Sequence, residues 1–200
     1  MKPATLYSWN VNGLKAILRK NFSEFIADYD PEVLCLQETK AQDAEAQRLL
    51  SDFTAYYLYH FGAERKGYSG TAILTQRAPK DVYYGIGQAA YDEEGRVITL
   101  VFPDYYLVNA YVPNAGSGLK RLDFREQWDQ DFRNYLNRLA AQKPVVVTGD
   151  FNVAHEEIDI ARPRQNYNKS AGFTQTEIDG FEAHLDQGLV DTFRSLYPDQ

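Results

Sequence analysis

Four apolar runs of this 200-residue chain stop abruptly at side chains that can hold a metal ion or a phosphate. Leu6-Tyr7-Ser8-Trp9 leads to Asn10, with Asn12 and Gly13 following. Val33-Leu34-Cys35-Leu36 leads to Gln37-Glu38-Thr39-Lys40. Leu107-Val108-Asn109-Ala110 leads to Tyr111 and then Pro113-Asn114-Ala115-Gly116. Val145-Val146-Val147-Thr148 leads to Gly149-Asp150-Phe151-Asn152. Oxygen donors of this kind suit Mg2+ or Mn2+. A carboxylate in reach of water supplies a base, and fixed amide and phenol donors stabilise charge on a phosphate ester under attack. One strand ending in Asp or Asn is ordinary turn chemistry. Four such ends in one chain point to a shared site. By the strand period of two, Asn10 and Asn12 share a side, as do Asp150 and Asn152.

Other chemistries lack their residues. His60, His155 and His184 are scattered and no Cys/His spacing suggests zinc. There is no Gly-x-Ser-x-Gly and no phosphate-binding Gly-rich loop ending in Lys-Ser/Thr. The net charge of −7 argues against a blanket nucleic-acid binder, though a contact face alone can be basic. Residues 161–176 carry Arg162, Arg164 and Lys169 and no acid. Lys120, Arg121 and Arg125 form a second basic group, diluted by Asp123 and Glu126; for both groups a solvated face is the ordinary explanation. The single cysteine, Cys35, reads as a small buried hydrophobe and fits a reducing cytoplasm. MKPATLYSWN has no leader-like apolar core, and no run reaches the length of a membrane span, so a cytoplasmic location without a membrane partner is expected.

The elements that must position these residues alternate. Strands are expected over 5–11, 32–37, 55–61, 70–75, 81–84, 96–102, 105–112 and 144–148, and helices over 14–29, 42–51, 121–141 and 176–187. The tight Pro103-Asp104 turn makes its two flanking strands antiparallel. Thr174 with Glu177 forms a capping box. Trp9 alternates with Asn10 and so faces the core. His155 braces its loop through Glu156 or Asp159. The uniform texture predicts one domain over 1–200, a layered α/β fold of mixed sheets covered by helices.

Several blocks carry a resemblance. Ser8-Trp9-Asn10-Val11-Asn12-Gly13-Leu14, Leu36-Gln37-Glu38-Thr39-Lys40 and Gly67-Tyr68-Ser69-Gly70 resemble signatures of the exonuclease III family of apurinic/apyrimidinic (AP) endonucleases. So do Asn109-Ala110-Tyr111-Val112-Pro113-Asn114-Ala115-Gly116, Gly149-Asp150-Phe151-Asn152-Val153-Ala154-His155 and Ala171-Gly172-Phe173-Thr174. They stand in family order over nearly the whole chain. The resemblance implies a DNase I-like sandwich of two mixed sheets. It also implies a Mg2+-dependent nuclease that incises double-stranded DNA 5′ to abasic sites and trims 3′ ends.

It further implies roles by position. Glu38 would bind Mg2+ (or Mn2+) with Asn10 and Asn12 beside it. Asp150 would orient or deprotonate the attacking water, Asn152 would hold that water or the phosphate, and Tyr111 would contact the scissile phosphate. Asn166 would bind a phosphate oxygen, with Asn168 near it. Lys15, Gly67, Tyr68 and Asn114 would touch the DNA backbone. Asn166 and Asn168 could instead be loop turn-formers, and Gly67 could simply serve a turn. Ser117 stands where some relatives carry a bulky basic residue that enters the duplex. Relatives continue past Gln200 into an Arg-Leu-Asp strand and a Ser-Asp-His ending. The expectation is therefore a chain lacking its C-terminal strands: a fragment, a split enzyme completed by another polypeptide, or an impaired DNA-binding half.

Overall fold

The computed structural model describes residues 5–200; residues 1–4, part of the stretch read for a leader, lie outside the described residues. The chain forms two compact units, one of Met1–Tyr111 with Gln142–Asp150, the other of Val112–Ala141 with Phe151–Gln200.

The first unit holds two four-stranded mixed sheets. One contains β1 (Leu6–Asn10), β2 (Val33–Gln37), β3 (Tyr57–Phe61) and β4 (Thr71–Thr75) in the order β1-β2-β4-β3. The other contains β5 (Asp81–Tyr84), β6 (Val97–Val101), β7 (Tyr106–Tyr111) and β8 (Val145–Asp150) in chain order. Each sheet has one parallel pair, β1 with β2 and β7 with β8, and is otherwise antiparallel. Parallel neighbours end on the same side, so each pair delivers two loop entrances together. Asn10 lies opposite Gln37 and Tyr111 opposite Asp150.

All five residues of β2 are buried, and its alternation separates two cores. Leu34 and Leu36 pack with Leu14, Phe22, Ala46 and Leu50 from the helical segments. Val33 and Cys35 face Ile98, Leu100 and Leu107 of the other sheet. Burial raises the Cys35 thiol well above its ordinary pKa, consistent with a packing role. Trp9 packs against the helical core as expected. The β6–β7 hairpin forms at Pro103-Asp104, closed by Phe102 N donating to Tyr105 O at 3.0 Å.

The helix expected over 14–29 is two: α1 (Leu14–Ile17) and α2 (Phe22–Tyr29). The helical ladder breaks after Leu18, where Lys20 N turns back to Ile17 O at 2.9 Å. Arg19, Lys20 and Asn21 are all exposed, so no packing holds the middle of a continuous helix. α3 (Asp43–Leu49) follows, and a short α4 (Ala89–Asp92) lies where no helix was expected.

The second unit contains α5 (Leu122–Ala140), α6 (Pro163–Asn166), α7 (Gln175–Leu185) and α8 (Thr192–Leu196). The capping box starts α7: Glu177 N donates to Thr174 Oγ1 at 3.2 Å and the Glu177 carboxylate accepts from Thr174 N. Among the described residues no helix is long and apolar enough to cross a membrane.

Candidate active site

In the first unit the ends of β1, β2, β7 and β8 bring four of the expected residues into one hydrogen-bonded cluster. Asn10 Nδ2 donates to Asp150 Oδ2 at 2.6 Å and to Glu38 Oε1 at 3.2 Å. The Tyr111 hydroxyl donates to the same Glu38 oxygen at 2.7 Å. Lys40 Nζ pairs with the other, Glu38 Oε2, at 3.0 Å. Burial by itself would raise the Glu38 pKa. Hydrogen bonds from Tyr111, Lys40 and Asn10 outweigh it and hold the carboxyl below its usual range. Tyr111 moves the other way: burial first, then its bond to Glu38, keeps the phenol protonated well above its ordinary range. At neutral pH the cluster is therefore an ionised carboxylate facing fixed donors.

Local backbone strain sets this geometry. Glu38 and Lys40 both adopt left-handed conformations, at φ 54° and 52°. Each such non-glycine residue costs about 1–3 kcal/mol and persists only where its surroundings hold it. Here Gly13 N donates to Glu38 O at 2.7 Å, and Lys40 N donates to Ser69 O at 2.8 Å. On β8, a Cβ at Gly149 would stand 1.8 Å from Ala110 O, so only glycine lets β8 come close enough to set Asp150 opposite Tyr111.

The alternation expected to align Asn12 with Asn10, and Asn152 with Asp150, stops one residue short. The strands end at Asn10 and Asp150, and Asn12 and Asn152 turn left-handed at φ 46° and 47°. Period-two alternation needs extended backbone, which these two residues leave. Asn12 Oδ1 accepts from Lys40 Nζ, and Asn12 N donates to Asn10 Oδ1 at 3.0 Å. Lys15 is exposed and paired with Glu45 at 2.9 Å. Gly67, at φ 72°, opens the turn before Tyr68.

In the second unit, Asn114 Nδ2 donates to Asn152 Oδ1 at 3.2 Å, and Asn152 Nδ2 donates to Val112 O at 2.8 Å. Asn166 caps its loop, donating to Ala161 O at 2.9 Å and accepting from Ser170 at 2.8 Å. Asn168 Oδ1 accepts from Gln175 N at 2.8 Å. Both therefore serve their turn through the backbone, whatever else they bind. Arg162, Arg164 and Lys169 are exposed on that loop. His155 pairs with Glu182, not with Glu156 or Asp159, which cap each other's short 3-10 turn instead. Phe181, 4.9 Å from the imidazole, draws the ring toward α7.

Several contributors escaped the sequence reading. Asn109 is fully buried and donates to Leu36 O at 3.0 Å and Ala72 O at 2.9 Å while accepting from Gln37 Nε2 at 2.7 Å. It pins β7 to the other sheet one turn of the pleat from Tyr111. Its signal was an amide inside an apolar run. Arg96 donates to Tyr111 O and to the Tyr68 hydroxyl, each at 3.0 Å, and lies over the Tyr111 ring at 4.8 Å. Arg125 is not on a solvated face. It is buried, pairs with Asp129 at 2.7 Å and donates to Pro113 O and Asn152 O at 3.0 and 3.2 Å. Its place on the Trp128–Phe132–Leu136 stripe was the available clue.

The first-unit cluster fits a hard divalent cation. Two carboxylates share one amide, and the nearby donors are oxygen and amide rather than sulfur or imidazole.

The profile of the Endonuclease/Exonuclease/phosphatase family matches residues 7–198. The chain is 51% identical over 195 residues to the zebrafish "DNA repair nuclease APEX1", covering 96% of this chain and 63% of that protein. It is 45% identical over 195 residues to the Bacillus subtilis "Exodeoxyribonuclease", covering 97% and 76%. An AP endonuclease structure from Archaeoglobus fulgidus superposes with a TM-score of 0.85 at 26% identity, covering 98% of this chain and 74% of that one. The two mixed sheets are thus the DNase I-like arrangement anticipated from the motifs. With the family profile running from β1 to the last turn of the chain, and close relatives named as nucleases, this protein belongs to the Endonuclease/Exonuclease/phosphatase family, in its group of AP endonucleases and exodeoxyribonucleases.

Proposed function

We propose that the chain carries the hydrolytic site of a divalent-metal-dependent DNA-repair nuclease. In this reading it incises duplex DNA 5′ to abasic sites and trims 3′ ends, with Mg2+ as the metal and Mn2+ as a substitute. The observation that supports it most is the single amide of Asn10 joining Asp150 to Glu38, with the Tyr111 phenol on the same Glu38 oxygen.

Glu38 and Asn10 would hold the metal, with Asn12 in the adjoining turn. The bound ion would neutralise charge on a phosphate oxygen. Asp150 takes the proton of the attacking water, its orientation set by Asn10. Tyr111, kept protonated, donates to the phosphate as charge develops. Arg96 holds the Tyr111 backbone and ring in place. Asn152 and Asn114, already bonded to each other, would take the water or a phosphate oxygen. Lys15, Gly67, Tyr68, Asn166 and Asn168 would touch the DNA backbone, the last two beside the basic loop.

A binding-only reading has one observation in its favour: Lys40 already neutralises Glu38 in part and engages Asn12. The two separate in one experiment, incubation of the folded chain with an abasic-site duplex and Mg2+. Incision lost on adding EDTA, and reduced by about 10³-fold or more in Asp150→Asn, supports the nuclease. Retention of the duplex without incision supports the binding-only reading.

A further inference from the structure

A chain of three side chains, buried at its Thr39 and His60 end, stands behind Glu38. His60, on β3, has its imidazole wholly enclosed. Its Nδ1 lies 2.7 Å from Asp43 Oδ1, at the start of α3, and its Nε2 lies 2.9 Å from Thr39 Oγ1. The Asp43 carboxylate can only accept, so Nδ1 carries the proton and Nε2 accepts from the threonine hydroxyl. Asp43 also accepts from Gly62 N at 2.8 Å, which locks its rotamer.

The order carboxylate–imidazole–hydroxyl is that of a nucleophilic triad, but its geometry here forbids attack. Thr39 is 1% exposed. Gly70 lies so close over it that a Cβ there would stand 2.4 Å from Thr39 Oγ1. No substrate carbonyl or phosphorus can reach that oxygen.

What Thr39 can do is hold its neighbours. It sits between Glu38 and Lys40, the two left-handed residues of the loop. Its own N donates to Gly70 O at 3.0 Å, and its carbonyl accepts from Leu14 N at 2.8 Å. The hydroxyl–imidazole bond anchors the Thr39 side chain and ties the loop to both β3 and α3. Left-handed backbone at two non-glycine positions relaxes toward ordinary conformations when its anchor goes. That relaxation would turn the Glu38 carboxylate away from Asn10 and Tyr111.

We infer that Asp43, His60 and Thr39 form a positioning relay that fixes the Glu38 loop and thereby sets the affinity of the site for a divalent cation. The inference rests on the proposed nuclease reading for the role of Glu38, and on the geometry alone for the ordering of the loop.

The test uses the full chain and three variants, with Mn2+ as the probe. Thr39→Val removes the hydroxyl at nearly constant volume, and Thr39→Ser restores it. Asp43→Asn, at a side chain 65% exposed, perturbs the far end of the relay without touching the core. Mn2+ affinity is read by electron paramagnetic resonance, and order by amide hydrogen exchange at Thr39 and Lys40. In Thr39→Val, Mn2+ binding weakens at least fivefold and the two amides exchange at least tenfold faster, while β6 amides are unchanged. Thr39→Ser stays within twofold of the parent on both readouts. Nitrogen-15 spectra of His60 show a protonated Nδ1 and an accepting Nε2, and Asp43→Asn alters that signature.

Parent-like exchange and Mn2+ affinity in Thr39→Val overturn the relay. Should Thr39→Val not fold, Asp43→Asn decides by the same two readouts. A parent chain that cleaves no DNA, yet loses loop order in Thr39→Val, defeats the nuclease reading and leaves the relay standing. A chain that cleaves DNA but shows no change in Thr39→Val defeats the relay alone.

Discussion

Asn10 and Asp150 meet at 2.6 Å across 140 residues of sequence, and that contact joins the edge strand of one sheet to the edge strand of the other. The same amide nitrogen reaches Glu38, so two carboxylates share one neutral bridge rather than repelling across open space. Asn10→Ala removes the bridge. On the proposed nuclease reading, turnover on an abasic-site duplex falls about 10²-fold, the scale of losing one fixed donor, with KM for DNA little changed. A fall in affinity with unchanged single-turnover rate would assign Asn10 to binding instead.

Asn109 predicts a stability effect with little direct chemistry. Asn109→Leu keeps the volume but removes the amide from Leu36 O and Ala72 O and leaves Gln37 Nε2 its bond to Ser8 alone. Each buried polar group left unmatched costs about 1–3 kcal/mol, partly relieved by relaxation. A loss of about 3 kcal/mol in urea-unfolding free energy is expected. A change under 1 kcal/mol would mean that water or another donor reaches those groups.

Gly149 tests the close approach of β8 to β7. Gly149→Ala places a methyl group against Ala110 O at a positive φ of 147°. Backbone must move, and the expected cost is about 3 kcal/mol or more, read as a lowered thermal midpoint. A variant of unchanged stability would show that the β7–β8 register can slip without penalty.

His184 gives the fold a dependence on pH. Burial first, then the nearby Arg133 and Arg125 charges, press its pKa down to about 4. Its unfolded value is 6.5, so between pH 6.5 and 4 the unfolded chain binds the extra proton. Stability is therefore lost as pH falls through that window. By pH 4.5 the loss from this residue is about 2 kcal/mol. His184→Gln should lose less stability than the parent between pH 7 and 4.5 in parallel urea titrations. Equal losses would place the acid sensitivity elsewhere.

Much of this architecture could be read from residue order alone. The strands ending at Asn10, Gln37, Tyr111 and Asp150 were marked by apolar runs that stop at polar residues, and the Thr174–Glu177 cap by its spacing. Those are local signals, set by strand alternation, turn chemistry and capping, and the sequence by itself determined them. It also determined the family, because six motif blocks in order leave little room for another.

Tertiary structure decided what local pattern cannot encode. The left-handed turns at Asn12 and Asn152 broke an alternation that sequence spacing extended too far. Arg125 looked like surface charge, yet is buried beside Asp129 because a helix stripe turned it inward. The meeting of Asn10 with Asp150, the pin from Asn109 to the other sheet and the relay behind Glu38 all join segments far apart in sequence. Such contacts arise only when strands, helices and sheets pack and each buried polar group must find a partner. A strand's own residues specify that it needs a partner; the packed fold determines which one it meets.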